Sequence, residues 1–277
     1  MAMQDTSYLN LMQVSGDDAL NFLQGQLSND LNSLKDNWQW QGYCTPKGRL
    51  FALFQAWKDH DNFYFLVDKD IAESTLKRLR MYVLRSKVEI SLREDVNIVA
   101  DLDPENPRDE GLVSIEGQQH KLHFNSRDLI IDFSQSLQAA PGFDHWDLCI
   151  EEGKPHLHVE TQEEFVPQMM NLDLLDGINF KKGCYTGQEI VARMHYLGKL
   201  KQRMFVLESD NIDTVQIAEK IFNQDNKNIG SVAALGKHTN KLLAVMRIED
   251  LNSSSSLTTE SSCSLKMASK QPYSLDS

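Results

Sequence analysis

The sequence predicts an α+β fold that ends in a small all-β domain. Three observations carry this expectation. Apolar runs of strand length, separated by turn residues, fill most of the first 135 positions. Two stretches among them have helical apolar spacing, yet no regular strand–helix–strand repeat appears. After Leu200, short apolar runs recur at nearly even intervals between polar turns, the pattern of a small β-domain.

Taken in order, Leu9–Val14 reads as a strand. Asp17 is a good N-cap, and Leu20, Leu23 and Leu27 follow at near-helical spacing, so a helix is expected at about 17–26. Pro46-Lys47-Gly48 is turn chemistry, and Leu50–Trp57 and Phe63–Val67 form a hairpin about the turn Asp59–Asn62. A helix from Asp70 to about Leu84 turns Ile71, Leu76, Leu79 and Val83 inward. Strands follow at Val88–Leu92, Val96–Ala100 and near 111–115, 120–124 and 128–133, interrupted by an acidic loop at 101–110. Trp146–Glu151 reads as a further strand, Phe165–Gln168 as extended chain, and Met170–Leu175 as a helical turn. The C-terminal strands are expected at Phe205–Glu208, Lys220–Phe222, Ile229–Ala234 and Leu242–Arg247, and 252–262 is a low-complexity serine tract.

A chain of 277 residues can hold two or three domains with real cores. The expected division is an α+β lobe over 1–100, a second α+β lobe over 101–200, and a β-barrel over 201–277. No run of about 18 apolar residues is present, and the N-terminus lacks a basic stretch followed by an apolar one, so a cytoplasmic protein without a membrane partner is expected. The formal charge of −12 disfavours direct nucleic-acid binding through a large interface. Cys44, Cys149, Cys184 and Cys263 are too widely spaced for a permanent metal or cluster site, and no metal ligands are assigned.

The segment KKGCYTGQEIVARM, Lys181–Met194, concentrates the chemistry. Gly183 and Gly187 bracket Cys184, which permits a tight turn carrying the thiol outward. Thr186 and Glu189 form a T-x-x-E pattern ahead of Ile190, Val191 and Met194, a capping-box signature. Cys184 would then sit before a helix N-terminus beside two lysines, which favours its thiolate. The competing reading is a small packed cysteine with no reactivity. From Lys181 to Arg203 the chain has six basic residues and one acid, Glu189, against the trend of the whole sequence. A second basic run, Lys77–Lys87, reads as a solvated face.

With those residues in view, FVPQMMNLDLLDGINFKKGCYTGQEIVAR resembles the diagnostic segment of the YgfZ family, whose core is K-G-C-Y-x-G-Q-E. Lys182, Gly183, Cys184, Tyr185, Gly187, Gln188 and Glu189 match it. GDDALNFLQGQLSNDLNSL, YCTPKGRLFALFQAW and the closing PYSLDS are also similar to the family pattern. The resemblance implies the fold of the glycine-cleavage T-protein: a two-lobed folate-binding region and a C-terminal β-barrel. It implies a tetrahydrofolate ligand and a role in supporting iron–sulfur enzymes, including a radical methylthiotransferase that modifies tRNA. By the same resemblance, Cys184 is the functional thiol, and Trp146, Lys182, Tyr185, Gln188, Glu189 and Arg193 are candidates to contact folate. A second family tryptophan near the first strand is replaced here by Leu9 or Tyr8.

T-proteins carry an acid after a Gly-rich turn, whereas Cys44 to Gln55 holds no Asp or Glu. That counts against the alternative, a folate-dependent one-carbon transferase. A third reading makes the KGCYTGQE loop a docking surface without folate.

Overall fold

The computed structural model describes residues 3–102, 111–124, 127–139, 145–251 and 256–273. The acidic loop from 103 to 110, residues 252–255 of the serine tract and residues 274–277 of PYSLDS lie outside them. In chain order the elements of the first half are β1 (Met3–Asp5), β2 (Leu9–Ser15), α1 (Ala19–Gln24), β3 (Gln39–Cys44), β4 (Leu50–Asp59), β5 (Asn62–Asp68), α2 (Lys69–Val83), β6 (Glu89–Arg93), β7 (Asn97–Leu102), β8 (Val113–Glu116), β9 (Gln119–Phe124) and β10 (Arg127–Asp132). The second half holds α3 (His145–Glu151), α4 (Gln188–Tyr196), β11 (Gln202–Glu208), β12 (Lys220–Asn223), β13 (Asn228–Leu235), β14 (Lys241–Arg247), α5 (Ile248–Leu251), β15 (Leu257–Thr259) and β16 (Ser264–Met267).

The chain divides into two compact units. The first comprises Met1–Tyr43, Ala52–His145 and Asp176–Thr186; the second comprises Cys44–Phe51, Trp146–Leu175 and Gly187–Ser277.

The first unit is built on two five-stranded sheets, ordered β3-β4-β5-β2-β6 and β1-β7-β10-β9-β8. Helix α2 packs on β2, β5 and β6 through Ile71, Ala72, Thr75, Leu76 and Leu79, which recur at helical spacing and are all buried. Each large apolar side chain so buried contributes about 1.5–3 kcal/mol. Asp18, not Asp17, occupies the N-cap of α1, and its carboxylate accepts from the Lys87 amide instead of capping the helix.

The second unit contains a closed six-stranded barrel, β11-β14-β13-β12-β15-β16. Phe205 and Leu207 on β11, and Leu242, Ala244 and Met246 on β14, alternate along their strands and fill the barrel core. Closure gives β11 a partner on both sides, β14 and β16, and removes the open edges that a small sheet exposes. The all-β domain expected after Leu200 is this barrel.

Two local expectations are corrected. Residues 145–151 form helix α3, not a strand: Trp146, Cys149 and Ile150 share a buried face at helical spacing, and the Asp147 carboxylate accepts from the Lys237 and His238 amides. Strands β1, β3, β15 and β16 were not expected from the sequence.

Candidate functional site

Within the first unit, Asp176–Thr186 is fastened to the chain after α1. Asn179 donates its amide to the Ser28 carbonyl, and Ser28 Oγ donates to the Gly177 carbonyl at 2.6 Å. Asn29 Nδ2 donates to the Asp176 carbonyl, and the Thr186 amide donates to the Gly25 carbonyl. Inside the loop, Asn179 Oδ1 accepts from the amides of both Lys181 and Lys182, an Asx-type turn.

Lys182 continues this fastening. Its Nζ donates to the carbonyls of Leu27 and Asn29 at 2.7 and 2.8 Å, and lies 5.4 Å from the centre of the Tyr185 ring. Burial lowers the ammonium to about 8, while the charge of Asp30 opposes that fall. Tyr185 is buried. Lys182 Nζ therefore holds the backbone before Cys184, and the Thr186 amide, bonded to the Gly25 carbonyl, holds it after.

Cys184 is exposed, and the other three cysteines are buried. Burial drives the Cys44 thiol up to about 12. Cys263 Sγ lies 3.0 Å from Ser209 Oγ and donates to the Asn211 carbonyl at 2.9 Å. Exposure thus singles out one thiol among four.

Within the second unit, helix α4 begins at Gln188, and the expected capping box is absent. Gly187 is the N-cap, at φ +84°, and no side chain caps the helix. The reason is steric. A Cβ on Gly187 would stand 2.4 Å from the Thr45 carbonyl oxygen and 3.0 Å from Gly48 Cα. The turn after Cys44 packs on this helix entrance so closely that only glycine fits. Gly48, at φ +68°, returns the constraint: its Cβ would meet Ile190 at 2.7 Å.

Gln188, Glu189 and Arg193 project from α4. Glu189 and Arg193 are exposed and Gln188 is half-buried. Among the described residues, the side chains of Cys184, Gln188, Glu189 and Arg193 make no hydrogen bond or ion pair. Arg203, by contrast, is held in a bidentate pair by Asp173 at 2.8–2.9 Å.

Trp146 is placed differently. It lies on α3 with 5% of its surface exposed, and its indole N–H donates to the Leu235 carbonyl at 2.6 Å. His156 lies against the ring at 4.2 Å and Lys237 Nζ at 5.8 Å.

The seven sequence-designated residues thus fall into two roles. Lys182 and Trp146 donate to backbone carbonyls, and Tyr185 is buried. Cys184, Gln188, Glu189 and Arg193 present unengaged groups. Sequence reasoning did not single out Ser28, Asn29 and Asn179, which hold the loop; the turn-forming Asn two residues before Lys181 was the available signal.

Among the described residues no helix is long and apolar enough to cross a membrane, and no three His, Cys, Asp or Glu side chains gather as a metal site.

No family model matches the chain. It is 34% identical over 218 residues to the tRNA-modifying protein YgfZ of Vibrio vulnificus, an alignment spanning 72% of this chain and 67% of that protein. It is 31% identical over 257 residues to the tRNA-modifying protein YgfZ of Hamiltonella defensa, spanning 82% and 76%. Against the protein of that name from Serratia proteamaculans, identity is 27% over 297 residues, spanning 96% and 90%. Among solved structures, glycine cleavage system aminomethyltransferase T from Bartonella henselae has the same fold, with a TM-score of 0.75 at 12% identity over 98% of this chain and 85% of that one.

Proposed function

The chain belongs to the YgfZ family, and from that premise we propose that it is a reduced-folate-binding accessory protein for tRNA modification. In this reading it supports the assembly or repair of iron–sulfur clusters in client enzymes, among them a radical methylthiotransferase acting on tRNA. The observation that carries the proposal is the division of labour in the loop. In the first unit one exposed thiol is presented by a backbone held on both sides, and in the second the start of α4 carries polar side chains without a protein partner among the described residues.

The donor set suits a reduced folate. Arg193 offers an unpaired guanidinium to the glutamate tail, which matches carboxylates in bidentate fashion. Gln188 and Glu189 offer a donor and acceptors for pterin edges. Lys182 keeps the loop in place. Trp146 braces α3 against the barrel strand β13. When bound, the folate would supply one-carbon chemistry; Cys184 would supply a thiolate to iron or to a sulfur-bearing client. In this reading the protein works in the cytoplasm, and its clients rather than RNA are its macromolecular partners.

The second reading, a folate-dependent one-carbon transferase, is favoured by the aminomethyltransferase fold. It is opposed by the absence of Asp and Glu from Cys44 to Gln55.

The test replaces Cys184 by Ser in cells that lack the native family member and measures methylthiolated nucleosides in their tRNA. Full activity of Cys184→Ser defeats the proposal. Quenching of tryptophan fluorescence by tetrahydrofolate, weakened in Arg193→Ala, tests the folate arm. Turnover of an aminomethyl donor with tetrahydrofolate would instead favour the transferase.

A further inference from the structure

A second constellation lies in the first unit, on the sheet β1-β7-β10-β9-β8. Ser114 on β8, His123 on β9 and Asp128 on β10 share one face of that sheet. His123 stands directly opposite Asp128, and Ser114 stands opposite Lys121, two residues before His123. His123 Nδ1 lies 2.7 Å from Asp128 Oδ1, and His123 Nε2 lies 2.9 Å from Ser114 Oγ.

The tautomer follows from the partners. An ionised carboxylate only accepts, so Nδ1–H donates to Asp128. In the neutral ring Nε2 then carries the lone pair and accepts the Ser114 hydroxyl proton. Exposure runs in the same order: the Asp128 side chain is 5% exposed, that of His123 13%, and Ser114 is half-buried on the outermost strand. The Trp38 indole N–H fixes the His123 backbone by donating to its carbonyl at 3.0 Å.

Strand β8 is the last strand of its sheet among the described residues; the segment 36–38 bonds to the chain at 111–113, through the Val113 amide and the Gly111 carbonyl. The hairpin turns at Gly117–Gln118 and closes on Glu116 and Gln119, so Ser114 and Glu116 direct their amides toward β9. The Ile115 amide, next to Ser114, points off the sheet. An outward amide beside a nucleophile is the type of donor that stabilises an oxyanion.

The geometry points to a second activity, independent of the folate reading: Ser114, His123 and Asp128 act as nucleophile, general base and orienting acid in the hydrolysis of small carboxylic esters. Ser114 Oγ bonds to the ester carbonyl carbon as its proton passes to His123 Nε2. The bond to the alkoxide breaks, and the alkoxide leaves with that proton. Water then repeats the sequence on the acyl-serine, releasing the acid and restoring the hydroxyl. One ester and one water are consumed, with no change of oxidation state. Asp128 is the positioning residue, because it acts through His123.

The full-length protein is incubated with a fluorophosphonate probe, and separately with p-nitrophenyl acetate. Expected are covalent labelling at Ser114, located by peptide mass spectrometry, and none in Ser114→Ala. His123→Ala should slow labelling by about 100-fold or more. Asp128→Asn should slow it as well, with partial rescue in Asp128→Glu. Melting curves establish that each variant is folded; should His123→Ala melt early, His123→Gln serves the same purpose. Failure of the folded wild-type protein to label at Ser114 overturns the proposal. So does an unchanged rate in a folded His123 variant, which would leave only a cross-strand polar cluster.

Discussion

Replacing Gly187 by alanine tests whether the helix entrance beside the cysteine loop is set by backbone contact. At φ +84° an L-residue costs about 1–2 kcal/mol more than glycine. The added Cβ would lie 2.4 Å from the Thr45 carbonyl oxygen, and about 3.0 Å from Cys44 Cβ and Gly48 Cα. Two of these three atoms are backbone, so no rotamer change relieves the overlap; crowding of this kind costs about 1–3 kcal/mol. The sum is about 2–5 kcal/mol. With a urea slope of about 2–3 kcal/mol per molar, the unfolding midpoint falls by about 1–2 M. Gly183→Ala is the internal control from the same motif. Its φ lies outside the positive range and its Cβ meets nothing within 4 Å, so its effect stays within about 0.5 kcal/mol. Equal midpoints for the two variants would refute the assignment of Gly187 to a packed left-handed cap.

Three further outcomes are expected. Lys182→Met removes two charge-assisted bonds to carbonyls, and a loss of about 1–3 kcal/mol is expected in urea titration. In the wild-type protein the folded state gives up the Lys182 proton near 8 and the unfolded state near 10.5, so the unfolded state binds more protons between these values; stability from this group rises with pH across that window, and Lys182→Met should lack that rise in melting temperature. Asp132 lies at about 2: burial works to raise it, but bonds from Ser134, Ser136 and the Leu137 amide outweigh burial. Its contribution, present above about 4, is lost as pH falls toward 2, and Asp132→Asn should flatten acid unfolding over that interval. Finally, native protein treated with iodoacetamide should take one label, at Cys184, and four in denaturant; labelling of Cys44, Cys149 or Cys263 in the native state would contradict the burial on which the loop reading depends.

How far the sequence was legible varies with the physics of each segment. Hairpin β4–β5 and helix α2 announce themselves because one local periodicity and one turn decide them. Residues 146–151 do not: six residues with aromatic, leucine and isoleucine members fit a strand or a helix equally well, and amides at 237 and 238 settle the matter from far along the chain. Strand β3 is hidden by its glycine and glutamines, although most of it is buried. Strands β15 and β16 are disguised by serine and threonine and are drawn into order by barrel closure. At the site, Cys184 and the basic tilt of its neighbourhood were visible in the sequence. The failure of the T-x-x-E cap was not, since it depends on a turn more than 130 residues earlier that displaces the cap to Gly187.

The fastenings around Cys184 limit its reach as well as its position. The amide of Lys182 is tied to Asn179 and that of Thr186 to Gly25, leaving three residues between the posts. A span of three residues extends at most about 10 Å, and its ends are fixed, so the thiol can sweep only a short arc. A long mobile arm could probe recessed centres; this one cannot. Any partner must bring its reacting atom to the surface and fit its contour around the loop. If Cys184 acts as proposed, the short tether makes its reaction depend on the surface contour that a partner presents.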